Sequence, residues 1–179
     1  LHRLLQGSHR AQKYLLTAAS YYFYCTIDWR FAALLIALTG INWAAGRVVA
    51  TSTSDSAKRW AIGAAVLGSV GILFYFKYLN FFSDMLNGLT AWLGAGALVP
   101  LVDVILPVGI SFMTFQAITY PIDLYRGQLG KPAGLLDFSF FMAFFPRLLA
   151  GPIVRASYFL PQLEQPAPVV SADQRFEGL

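Results

Sequence analysis

Three polar side chains recur along one apolar stretch of this 179-residue sequence: Gln116, Thr119 and Asp123, in LPVGISFMTFQAITYPIDLYRG from Leu106. At 100° per residue they share one helical face with Phe112. Amide, hydroxyl and carboxylate are the groups that line a water-filled passage, or that hydrogen-bond a neighbouring helix. Pro121 in the same stretch removes the bond to the carbonyl of Ala117 and should kink the helix. Asp123 lies three residues before Arg126, the spacing of an interfacial ion pair. Pro107 suits a first helical turn.

The second chemical stretch is DFSFFMAFFPRLLAGPIVRASYFLPQL, from Asp137 to Leu163. Asp137 is expected to cap a helix. The apolar run after it is too short to span a membrane, and Pro146 and then Gly151–Pro152 break it. Irregular backbone at membrane depth survives only where protein or a water-filled cavity covers it. Arg147 and Arg155 flank the break. They are placed either to hold an anionic phosphate or carboxylate, or to snorkel to lipid headgroups. The two histidines, His2 and His9, sit in the basic N-terminal segment without a partnering carboxylate or nucleophile motif. The single Cys25 cannot form a Cys-based metal site, and no GxSxG, HExxH, Walker or GxGxxG pattern occurs. No complete catalytic constellation and no metal site is expected.

The elements that must position these groups follow from composition. Hydrophobic residues make up 57% of the chain and charged residues only 12%, against about 25% charged in a soluble domain. The mean hydropathy is +0.57. This composition excludes a disordered chain, a nucleic-acid module and an ordinary cytosolic enzyme. It predicts an all-α, polytopic membrane bundle in one domain, with the lipid bilayer as its surroundings.

Charges are costly near the bilayer centre, so the gaps between them outline the spans. Helices are predicted near 11–26, 30–48, 59–82 and 107–125. The third is expected to continue as an interfacial helix through 83–94, and 137–163 forms a broken, re-entrant fifth unit. Asp28, Trp29 and Arg30 mark a tight turn between the first two helices. Basic residues collect in alternate loops: Arg3, Arg10 and Lys13, then Arg47, Lys58 and Arg59, then Arg126 and Lys131. Positive loops stay cytoplasmic, which places the chain start inside. The Leu start and the FEGL ending are expected to be cut ends of something longer.

The strings LPVGISF and FFPRLLAGPIVR are long and unlike generic apolar sequence. With SYYFYCTIDWRFAALLI from Ser20 and GILFYFKYLNFF from Gly71, they resemble the membrane-bound O-acyltransferase (MBOAT) family, over roughly residues 10–179. The resemblance is to its alginate- and polysaccharide-acetylating branch. It implies a multi-pass bacterial inner-membrane enzyme in which an acyl group passes from a cytoplasmic thioester donor, acetyl-CoA or an acyl carrier, to polysaccharide hydroxyls. No bound cofactor is implied. Periplasmic acetylation proteins are the implied partners, and nucleic acid is not one. The family's reactive histidine is expected beyond Leu179, so the chain alone would be an inactive N-terminal part. Gln116, Thr119, Asp123, Arg147, Gly151, Pro152 and Arg155 become the funnel-lining or substrate-binding candidates. Transfer of D-alanine to teichoic acid by the same architecture, and a non-enzymatic membrane transporter or scaffold, stay open as alternatives.

Overall fold

A computed structural model describes residues 9–94, 107, 109–144 and 154–164, and every regular element in them is a helix. The helices are α1 (His9–Ile27), α2 (Trp29–Thr51), α3 (Asp55–Trp92), α4 (Ile110–Tyr125), α5 (Leu135–Ala143) and α6 (Ala156–Glu164).

The turn between α1 and α2 is a single residue. Asp28 is the N-cap of α2, in extended backbone, and its carboxylate accepts the N–H of Arg30 at 2.8 Å. An N-cap oxygen satisfies a donor that the first helical turn leaves unpaired. Ser54 caps α3 in the same manner through the N–H of Ala57.

Two of these helices, α2 and α3, are long and apolar enough to cross a membrane. Four crossings were expected. The 16 residues of α4 make a helix of about 24 Å, shorter than the roughly 30 Å hydrocarbon core. The 38 residues of α3 reach about 57 Å, well beyond that thickness. The expected interfacial continuation at 83–94 is the uninterrupted C-terminal part of α3, which runs through Trp92.

Helix α2 lies at the centre and packs against α1, α3, α4 and α5. Its core residues Leu35 and Leu38 are fully buried together with Ala117 and Tyr120 of α4 and Phe138, Phe141 and Met142 of α5. Between α2 and α3, Asn42 donates to the Ser69 hydroxyl at 2.9 Å, both side chains being inaccessible. Polar links of this kind fix the rotation of one apolar helix against another, which lipid-like packing alone does poorly.

Two expected helix starts are corrected. Helix α4 begins at Ile110, and Pro107 precedes it, its carbonyl accepting the Ile110 N–H. The chain turns into α4 at Gly109, whose φ of 78° is left-handed backbone that glycine adopts without strain. Asp137 is not a cap either. Gly134 holds that position, and Asp137 sits inside the first turn of α5. There it accepts Lys13 Nζ of α1 at 2.6 Å. A carboxylate in a helix's first turn is favoured by the helix dipole, and the partly buried lysine ties α1 to α5.

Candidate functional site

Gln116, Thr119 and Asp123 lie along α4, and two of them contact α5 and α6. Gln116 and Asp123 are each only 4% exposed, and Thr119 is half-buried. Gln116 Nε2 donates to the carbonyl of Phe141 at 2.8 Å. Asp123 Oδ2 accepts the backbone N–H of Ser157 at 3.3 Å. Thr119 stays within its own helix, its hydroxyl donating to the carbonyl of Gln116 at 2.8 Å.

The chemistry of the two contacts is matched to the helix ends they meet. Phe141 lies in the last turn of α5, where carbonyls lack intrahelical partners, and Ser157 lies in the first turn of α6, where N–H groups lack them. An amide donor meets the carbonyl end, and a carboxylate acceptor meets the N–H end. Helix ends packed among apolar residues need their orphan backbone groups satisfied by neighbours. Here α4 supplies both caps from one face.

This arrangement corrects the expected pairing of Asp123 with Arg126. Asp123 is buried against α6, whereas Arg126 caps the end of α4 and is exposed, and no ion pair joins them. The ion pairs among the described residues are Lys13–Asp137 and Lys131–Glu164, at 2.6 and 2.8 Å. Helix α4 continues through Pro121 to Tyr125.

Aromatic rings join α5 to α6. Phe159 packs on Phe141 and Phe144 with centroids 5.5 and 6.0 Å apart. One turn earlier in α5, the Tyr120 ring lies 4.3 Å from that of Phe138. The Tyr120 hydroxyl accepts the N–H of Ala133 at 3.0 Å, and Trp43 Nε1 donates to the carbonyl of Ala133 at 3.1 Å. Both peptides flanking Ala133, in the connection into α5, are therefore pinned, one from α4 and one from α2. Gly46 of α2 makes room for this: a Cβ there would overlap the Tyr120 ring. Sequence reasoning gave Trp43, Gly46 and Tyr120 no role, because no local pattern sets them apart from other apolar-helix residues.

Of the remaining candidates, Arg155 is exposed immediately before α6, and its carbonyl accepts the N–H groups of Tyr158 and Phe159 at 3.1 and 3.2 Å. Arg147, Gly151 and Pro152 lie outside the described residues. A groove of about 610 Å³ runs between α1, α2 and α5, lined by Tyr14, Tyr21, Ile36, Thr39 and Ser139 among others. A second pocket of about 330 Å³ lies beside Lys131, Asp137 and Glu164. Gln116, Thr119, Asp123 and Arg155 line neither. No group of three or more His, Cys, Asp or Glu residues that could hold a metal occurs among the described residues.

Comparison with known proteins gives a consistent answer. The chain is 41% identical over 148 residues to a protein of Azotobacter vinelandii named probable alginate O-acetylase AlgI, covering 82% of this chain and 29% of that protein. The protein of the same name in Pseudomonas aeruginosa is 41% identical over 151 residues, covering 83% of this chain and 29% of its own length. Over more than four-fifths of its length the chain is similar to these alginate O-acetylases. A more distant relative, a peptidoglycan O-acetyltransferase of Helicobacter pylori, is 28% identical over 176 residues, covering 85% of this chain and 32% of that protein. No protein-family model and no solved structure matches the chain. The chain thus spans under a third of the length of these O-acetylating relatives. Most of α5 and α6 falls within one of the two stretches that carry the family resemblance.

Proposed function

We propose that this chain is part of a multi-pass inner-membrane enzyme that moves an acetyl group from a cytoplasmic thioester donor to hydroxyls of an exported polysaccharide. The observation that carries this reading is the 41% identity to alginate O-acetylases across more than four-fifths of the chain. An alginate-like acceptor is favoured over peptidoglycan by that identity against 28%. Neither His2 nor His9 is assigned as the base. We place the base in the part of such proteins that this chain does not cover. A histidine there would take the proton of the acceptor hydroxyl as it attacks the thioester carbonyl.

In this reading the chain builds part of the covered funnel. Arg147 and Arg155 hold an anionic group of the donor, and Gln116, Thr119, Asp123, Gly151 and Pro152 shape the wall around it. A guanidinium suits that task because its fixed fork of donors matches phosphate and carboxylate oxygens. Shielding the reacting groups from water limits hydrolysis of the thioester. Periplasmic acetylation proteins are the proposed partners on the far side. The direct test is to incubate membranes carrying the complete protein with radiolabelled acetyl-CoA and the exported polymer. Label recovered as base-labile ester on the polymer supports the reading, and polymer that stays unlabelled contradicts it.

The proposed orientation has its own test. The basic ends of α2 and α3, joined by Ser52 to Ser54, are placed in the cytoplasm, and the far end of α3 outside. In a Cys25→Ser background, Ser54→Cys should be protected from a membrane-impermeant thiol reagent in intact cells. Leu93→Cys, 66% exposed after α3, should be labelled. The opposite pattern reverses the topology.

A further inference from the structure

We propose that Asp123 is a positioning residue for Arg155, acting through the first turn of α6. This rests on the reading above in which Arg155 holds an anionic group of the donor.

The position of Asp123 in its own helix argues for a role elsewhere. It lies in the last turn of α4, the negative end of that helix dipole, where a carboxylate is unfavourable. It is also almost fully buried, and a buried carboxylate needs hydrogen bonds to offset its lost hydration. Its Oδ2 finds one at Ser157, in the positive first turn of α6.

That turn needs an acceptor from outside. The carbonyl of Arg155 takes the first bonds of α6, which makes Arg155 its N-cap. A cap side chain normally supplies an oxygen to the second or third N–H of the helix. A guanidinium has donors and no acceptor, so Arg155 cannot cap its own helix. The carboxylate of Asp123, 34 residues away in sequence, does so at the second residue, Ser157. The Arg155 side chain is left exposed, with no ion-pair partner among the described residues. Fixing Ser157 fixes the backbone two residues earlier, from which the guanidinium extends. The backbone of Asp123 reinforces the same corner, its carbonyl accepting the N–H of Gln128 at 2.9 Å.

The test uses the complete protein in its own membranes and reads the acetyl ester content of the exported polymer, normalised to protein abundance. Arg155→Ala should lower it by about 100-fold, and Asp123→Ala by about 10-fold or more, because a displacement on the order of 1 Å is enough for losses of that size. Asp123→Asn keeps an acceptor oxygen for the Ser157 N–H and should recover most of the Asp123→Ala loss. The double variant Asp123→Ala with Arg155→Ala should be no worse than Arg155→Ala alone, within about 2-fold, since residues acting through one another are not additive. Losses that multiply, or Asp123→Asn as damaging as Asp123→Ala, overturn the positioning role and leave the role of Arg155 intact. An unaffected Arg155→Ala overturns the anion-holding reading itself, and the proposal with it. Independently of activity, hydrogen exchange at the Ser157 amide should accelerate in Asp123→Ala and stay slow in Asp123→Asn. Protection unchanged in Asp123→Ala overturns the cap.

Discussion

Replacing Tyr120 by alanine is expected to be the most damaging single change among the described residues. The side chain is fully buried where α2, α4 and α5 meet. Removing an aromatic ring from such a site costs about 3–5 kcal/mol, through lost burial and the cavity left behind. The change also strips the partner from the Ala133 N–H, at about 1–3 kcal/mol for a buried donor left unpaired. Tyr120→Phe separates the two parts. It keeps the ring against Phe138 and loses only the hydroxyl, so its cost should fall in the lower of these ranges. The check is the thermal unfolding midpoint of the detergent-purified complete protein, with Tyr120→Phe midway and Tyr120→Ala lowest. Equal midpoints for Tyr120→Ala and the parent protein would remove this contact from the core of the fold.

The second large effect is expected from adding atoms to α2 at the same contact. Gly46 faces the Tyr120 ring at a distance that leaves no room for a Cβ, whereas Gly40, Gly63 and Gly71 meet nothing within 4 Å. Gly46→Val must therefore displace α4 or force the ring off its rotamer, at about 1–3 kcal/mol or more. Gly63→Val, which meets open space, is the matched control and should cost far less. Because Gly46 and Tyr120 touch, their changes should couple. In a Tyr120→Ala background the added valine fills part of the cavity, and its cost should largely disappear. Thermal midpoints of the two single variants and the double variant measure that coupling. Additive losses would show that the two helices do not meet through this pair.

The helical class was legible because few charges and a high apolar fraction leave little else. The α1–α2 turn was legible because Asp28 is both a charge that interrupts an apolar run and a residue type that caps helices. The shared face of Gln116, Thr119 and Asp123 followed from helical spacing alone. Its use did not. Gln116 meets a carbonyl 25 residues away and Asp123 an N–H 34 residues away. Only the folded chain brings those helix ends to α4. Local rules instead paired Asp123 with Arg126 by spacing, and burial of the carboxylate against α6 overrode that choice. The same holds for Asp137. Its residue type and place before an apolar run suggested a cap, but Lys13 of α1, 124 residues distant, takes its carboxylate inside the helix. Gly46 carried no signal, because a glycine that admits a ring looks in sequence like one that faces lipid.

In this scaffold one face of α4 supplies hydrogen-bond partners to the last turn of α5 and the first turn of α6. The central claim is that the complete protein carrying this scaffold transfers acetyl groups to an exported polysaccharide. The measurement that tests it most directly is the O-acetyl ester content of that polymer in cells with and without the encoding gene. The deletion strain should make polymer in normal amount but stripped of ester, with ester restored by the intact gene. Unchanged acetylation in the deletion strain would contradict it.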